Sequence, residues 1–183
     1  MKVIGVVGMP ASGKGEFSQI AREMGVPVVV MGDVIRKHVE EAGLSPTDRH
    51  LGEMSKHLRK AIGMDAIARV TIPIIENQSS GIVVVDGIRG DYEVETFRRH
   101  FPEFILIGIE SSFENRLKRL AARGRSDDTL SRDELRERDR RELGWGLGRA
   151  LAQADCTLHN DGSLEAFRIH VRDLLFRLVR GGV

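Results

Sequence analysis

The sequence predicts a three-layer α/β fold, a five-stranded parallel sheet with helices on both faces, and three observations lead there. Five short apolar runs bounded by turn residues alternate with helix-length segments. The first run opens directly into a glycine-bracketed loop. At 183 residues and 41% hydrophobic content, the chain can bury one substantial core.

The elements follow in order. Val3–Val7 is apolar and β-branched, as a strand buried on both faces should be, and Glu16–Met24 after the loop is helix-compatible. Val26–Met31 reads as the second strand, followed by helical segments Val34–Ala42, Pro46–Ile62 and Asp65–Glu76. Ile82–Val85 leads to Tyr92–His100, Phe104–Ile109 to Phe113–Arg123, and Asp155–His159 to Leu164–Arg180. Such alternation implies right-handed crossovers and a parallel sheet. Asp33, Ser112 and Ser163 are the expected N-caps. Two insertions, residues 33–80 and 124–153, interrupt the rhythm of a single domain spanning 1–183. Ligands of open parallel sheets lie beyond the carboxyl ends of the strands, so these insertions are expected to act as a binding arm and a lid. Gly144-Trp145-Gly146-Leu147-Gly148 closes the second one; a hinge, an aromatic anchor and a loop packed on the core all suit it, the packed loop best.

Composition narrows the classes. The lone Cys156 forms no internal disulfide and no cysteine cluster, which points to a reducing compartment. No apolar run approaches the roughly 20 residues of a membrane span, so a cytoplasmic protein, monomer or homodimer, is expected. A net charge of +1 argues against a nucleic-acid-binding surface over the whole molecule. Residues 116–141 are nevertheless locally basic, with nine arginines and Lys118 against six acids, and arginine outnumbers lysine 22 to 6 in the chain. Planar bidentate contact with phosphate favours arginine.

Gly8-Met9-Pro10-Ala11-Ser12-Gly13-Lys14-Gly15 has the spacing of a phosphate-binding P-loop up to its last position. Glycines let the backbone approach a ligand, a helix beginning near Gly13 aims its free amides and dipole at phosphate, and Lys14 adds a point charge. The sheet is therefore expected to be of the P-loop NTPase kind, with the Lys14 head group exposed until ligand arrives. The Ser or Thr that ligates Mg²⁺ in the common pattern is Gly15 here, so metal binding must be arranged differently. Asp86, at the end of the third strand, is the expected holder of Mg²⁺ or its waters, and Arg89 follows it closely. Asp33 and Arg36 repeat the acid–arginine arrangement after the second strand.

On these residues the chain resembles the P-loop nucleoside monophosphate kinases and dephospho-coenzyme A kinases, and most closely an archaeal family of adenylate-kinase-related proteins. Gly8-x-Pro10-x-x-Gly13-Lys14-Gly15 resembles the adenylate kinase loop, in which glycine also follows the lysine. Gly32-Asp33-Val34-Ile35-Arg36 is similar to the acceptor-binding Gly-Asp-x-x-Arg, and Asp86-Gly87-Ile88-Arg89 to Asp-Gly-Phe-Pro-Arg with the proline missing. Arg119 to Asp128 resembles the lid motif, and Ala154-Asp155 through Asn160-Asp161-Gly162-Ser163 the last strand and adenine-side loop of dephospho-coenzyme A kinases.

The resemblance implies ATP and Mg²⁺ as cofactors. The donor would lie on Gly8 to Gly15 with Asn160 and Gly162 near the base, the acceptor on Asp33, Arg36 and Arg89, and the transferring phosphoryl group among Lys14, Arg89, Arg119, Arg123 and Arg125. Glu16 stands where adenylate kinases carry threonine, and either favours the helix start or approaches Mg²⁺ with Asp86. Transfer of the γ-phosphoryl group to a small phosphorylated acceptor, a nucleoside monophosphate first, is the leading expectation. A ribose hydroxyl acceptor, with Asp33 as base, is the alternative; the first of the two acids in that family's motif is Met31 here. A nucleotide-driven switch or slow ATPase, acting through a protein or RNA partner, is a different class that Gly15 and Glu16 would suit.

Overall fold

The computed structural model describes residues 1–123 and 131–181. Five parallel strands, β1 (Lys2–Gly8), β2 (Val28–Val30), β3 (Ile82–Ile88), β4 (Glu103–Glu110) and β5 (Cys156–His159), form one sheet in the order β2-β3-β1-β4-β5. The chain leaves the central β1 toward one edge and later returns to build the other. Its carboxyl end is therefore the switch point at which ligands of such sheets bind.

Side chains alternate across the strands and fill two cores. Val3, Val7, Val83 and Val85 face α2 (Met31–Glu41), α4 (Ala66–Glu76), α5 (Asp91–His100) and α8 (Leu147–Leu151). Ile4, Val6, Ile107 and Ile109 face Phe17 and Ile20 of α1 (Lys14–Glu23) and Phe167, Val171 and Leu175 of α9 (Leu164–Val179). α3 (Asp48–Ile62) packs on α2 and α4, while α6 (Phe113–Arg123) and α7 (Arg132–Gly144) flank the loop after β1. The pairing of β1 with β3 slips between Val6 and Val7, leaving Gly87 between the partnered Asp86 and Ile88. Gly87 takes φ +99°, open to glycine at little cost, and so delivers Asp86 and Arg89 to the switch point.

Two expectations are corrected. The second strand is only Val28–Val30, because Met31 starts α2 without an intervening loop. Asp33 is accordingly not an N-cap: Val30 holds that place, and Asp33 lies in the first helical turn, where the dipole favours it. Ser163 and Ser112 do cap, accepting from the amides of Ala166 at 3.2 Å and Asn115 at 3.4 Å. The segment expected to act as a lid holds α7 and α8, which the sequence pattern does not reveal. α7 starts on a capping box between Ser131 and Glu134, yet buries only Leu135, Asp139 and Glu142, so no apolar stripe announces it. Residues 124–130 of that segment lie outside the described residues. Residues 33–80 fold as α2, α3 and α4 before returning to β3.

Candidate active site

The loop between β1 and α1 is braced from behind. A Cβ at Gly8 would meet the carbonyl oxygen of Ile109 and the hydroxyl of Ser12 at 2.5 Å, so only glycine fits there. Gly13 has φ +123° and would collide with the Asn160 amide, while Ala11 holds φ +59°, an uncommon conformation for a residue with a side chain. Asn160 Nδ2 donates to the Ser12 carbonyl at 2.8 Å. From α6, Arg119 donates to the carbonyls of Ala11 and Ser12 at 3.3 Å and of Asn160 at 2.5 Å. Arg116 reaches the Pro10 carbonyl at 3.2 Å and forms a buried two-pronged pair with Asp139 of α7 at 2.9 and 2.6 Å.

The loop walls a cavity of about 460 Å³. Gly13, Lys14 and Gly15 line it at the start of α1, where a helix leaves its first amides without intrahelical partners. Lys14 departs from expectation. Its ammonium is folded back, donating to the carbonyls of Gly8 at 2.5 Å and Met9 at 3.0 Å, and burial lowers its pKa to about 8. Asp86 lines the same cavity and accepts from Ser18 Oγ at 2.7 Å. Glu16 lines it too, but Arg168 of α9 holds its carboxylate at 2.5 Å.

A second cavity, about 120 Å³, lies against the first. Arg36, Arg59, Arg89, Arg138 and Arg141 line it, with Glu93 as the acid, alongside Met31, Ile35, Leu51 and Trp145. Arg89 and Arg138 line both cavities and so mark their junction. Between these two guanidiniums stands Glu142, its side chain 4% exposed, 3.7 Å from Arg89 Nη1 and 3.5 Å from Arg138 Nε. Burial would raise its pKa; the charges of Arg89, Lys14 and Arg138 outweigh that and hold the carboxyl below its ordinary range. Glu93 shows the opposite balance: burial pushes its carboxyl up against the pull of Arg59 and Arg89.

Several expected residues therefore meet at the switch point: Lys14, Gly13, Gly15, Asp86, Arg89, Arg119 and Asn160 line the larger cavity, and Arg36 the smaller. Others do not. Asp33 is 63% exposed, pairs with Arg36 and lines neither cavity, and Gly162 sits in the exposed bend before α9. Arg119 spends its guanidinium on loop carbonyls. Arg123 ends α6 and its side chain is not described, and Arg125 lies outside the described residues. Sequence reasoning missed Arg59, Glu93, Arg138 and Glu142. Arg138 and Glu142 are an i,i+4 pair inside a run of charges that reads as a solvated face. Trp145 is the C-cap of α7, and its ring packs under Arg59 at 4.8 Å and Arg141 at 5.9 Å.

Comparison with known proteins agrees with this geometry. A family model described as an AAA domain matches residues 7–136. A UPF0200 protein of Methanoculleus marisnigri is 65% identical over 178 residues, 97% of either chain. The chain belongs to the UPF0200 family. Among solved structures, a shikimate kinase from Bacteroides thetaiotaomicron superposes with a TM-score of 0.67 at 16% identity, covering 96% of this chain and 98% of that one. A dephospho-CoA kinase from Campylobacter jejuni gives 0.57 at 19% identity, with 99% of each chain covered. At such identities the likeness concerns the fold: this chain has the α/β P-loop fold that its loop and sheet order predict. Among the described residues, no helix is long and apolar enough to cross a membrane.

Proposed function

We propose that this protein transfers the γ-phosphoryl group of ATP to a small phosphorylated acceptor, a nucleoside monophosphate being the first candidate. The observation that carries the reading is the junction: Arg89 and Arg138 face both a P-loop cavity and an arginine-lined cavity. Phosphoryl transfer asks for two partners held in line and for cations on the oxygens where charge gathers. Arginines dominate the lining of the smaller cavity, so the acceptor is recognised chiefly by its anionic group. A phosphate acceptor needs no general base. That agrees with Asp33, the expected base for a hydroxyl, standing outside both linings.

The donor set suits a nucleotide with its metal. Among the described residues, no three His, Cys, Asp or Glu side chains gather into a metal cage. Mg²⁺ is commonly held by one or two carboxylates together with phosphate oxygens and water, and Asp86, which lines the P-loop cavity, would be such a carboxylate. The ion would supply charge neutralisation on the triphosphate. Lys14 leaves its two carbonyls for phosphate oxygens, Arg89 and Arg138 take the oxygens of the group in transfer, and Glu142 keeps those guanidiniums together.

An acceptor panel tests the reading: ADP release is followed with each nucleoside monophosphate, with dephospho-coenzyme A and with shikimate, the last two chosen for the structural neighbours. Release that depends on a nucleoside monophosphate supports it. Release independent of every acceptor would favour the switch or slow ATPase instead.

A further inference from the structure

Arg59 of α3 is closed to solvent, with its side chain 6% exposed, yet it lines the arginine cavity. One terminal nitrogen, Nη2, donates to Glu93 Oε1 at 3.1 Å; the other, Nη1, is buried without a hydrogen-bond partner. Buried polar groups are nearly always paired, and Nη1, with almost no surface of its own on a side chain that lines the cavity, is a donor still awaiting an oxygen. Glu93 does not supply it, since its second oxygen, Oε2, accepts from the Arg89 backbone amide at 2.7 Å. The guanidinium is held in place, with its Cζ 4.8 Å from the Trp145 ring centre. Five guanidiniums line the cavity with one carboxylate, Glu93, while Asp33 and Glu142 pair with Arg36, Arg89 and Arg138 from outside its lining; among so many cationic donors the oxygen that suits Nη1 is an anion's.

We infer that Arg59 is a ligand-binding residue whose Nη1 anchors an oxyanion, a phosphate or carboxylate oxygen, of the molecule that fills the arginine cavity. Arg59 lines that cavity alone, so the anion is not part of a triphosphate on the P-loop. Glu93 acts as its positioning residue, tying it to the Arg89 backbone. The inference rests on the phosphotransferase reading only in calling that molecule the acceptor.

Trp145 is the only tryptophan in the chain and lines this cavity but not the P-loop cavity, so its fluorescence reports on the site by itself. Inorganic phosphate and, separately, acetate are titrated into the full chain, with and without saturating ADP. The expected result is a saturable change in emission that persists with ADP present; tighter response to phosphate identifies a phosphorylated ligand, and to acetate a carboxylate. Arg59→Gln should raise the midpoint at least tenfold. Because that change strands Glu93, the double variant Arg59→Gln/Glu93→Gln, which removes both charges, is measured beside it and should show the same loss. No saturable response in the unaltered protein, or an unchanged midpoint in a folded variant, overturns the inference. Failure of ADP to bind while the anion response survives would instead refute the phosphotransferase reading and leave Arg59 as an anion site.

Discussion

Lys14 folds its charge back onto its own loop. With its ammonium turned onto the Gly8 and Met9 carbonyls, burial holds the pKa near 8, against 10.5 for a free lysine. Two outcomes follow with opposite signs. Nucleotide binding needs the cation, so ATP affinity measured by calorimetry should fall as pH rises past about 8, approaching tenfold per pH unit. Stability should move the other way. Between pH 8 and 10.5 the unfolded chain retains the lysine proton that the folded one has lost, so this group's contribution to folding stability rises with pH across that window. Lys14→Met should remove both dependences. Asp86 offers a second test at this scale: Asp86→Asn should raise the Mg²⁺ concentration for half-maximal ADP release several-fold while metal-free ADP binds as well or better, since a carboxylate beside the phosphates is gone. A metal titration of that variant that overlays the parent curve would remove Asp86 from the ion.

At the scale of elements, α7 decides most. It is clamped by the buried Arg116–Asp139 pair and places Arg138 and Glu142 at the junction. Asp139→Ala leaves the Arg116 guanidinium buried without its counter-ion and should cost about 3–5 kcal/mol. For a domain of this size that lowers the melting midpoint by about 10 °C, which calorimetry would register. Glu142→Gln should act differently, letting Arg89 and Arg138 repel one another: kcat falls about tenfold with little change in the KM for ATP, the pattern of an interaction used in transfer rather than in binding. This element also marks the limit of what the sequence reveals. β1, the P-loop and the α1 start are legible because apolar runs and glycine spacing follow directly from backbone geometry. α7 is not, because its inward face is ionic: Asp139 and Glu142 look solvated in a one-dimensional pattern and become buried only when α6 and β3 bring arginines to them. Arg59 is hidden for the same reason, its partner Glu93 lying 34 residues away on another helix.

Across the whole molecule, the sheet order brings one strand-end group from each side to the central β1. Arg89 arrives after β3, Asn160 after β5, and α6 after β4 carries the arginines that hold the loop. Two cavities of unequal size meet at Arg89 and Arg138, and transfer from donor to acceptor would cross that meeting point. It is tested most directly by following the label from [γ-³²P]ATP in the presence of the acceptor that most increases ADP release. Label should appear in the acceptor in step with ADP formed, and Arg138→Ala should lower the rate of its appearance at saturating ATP. Label recovered only as inorganic phosphate, at a rate indifferent to acceptor and to Arg138→Ala, would contradict such transfer.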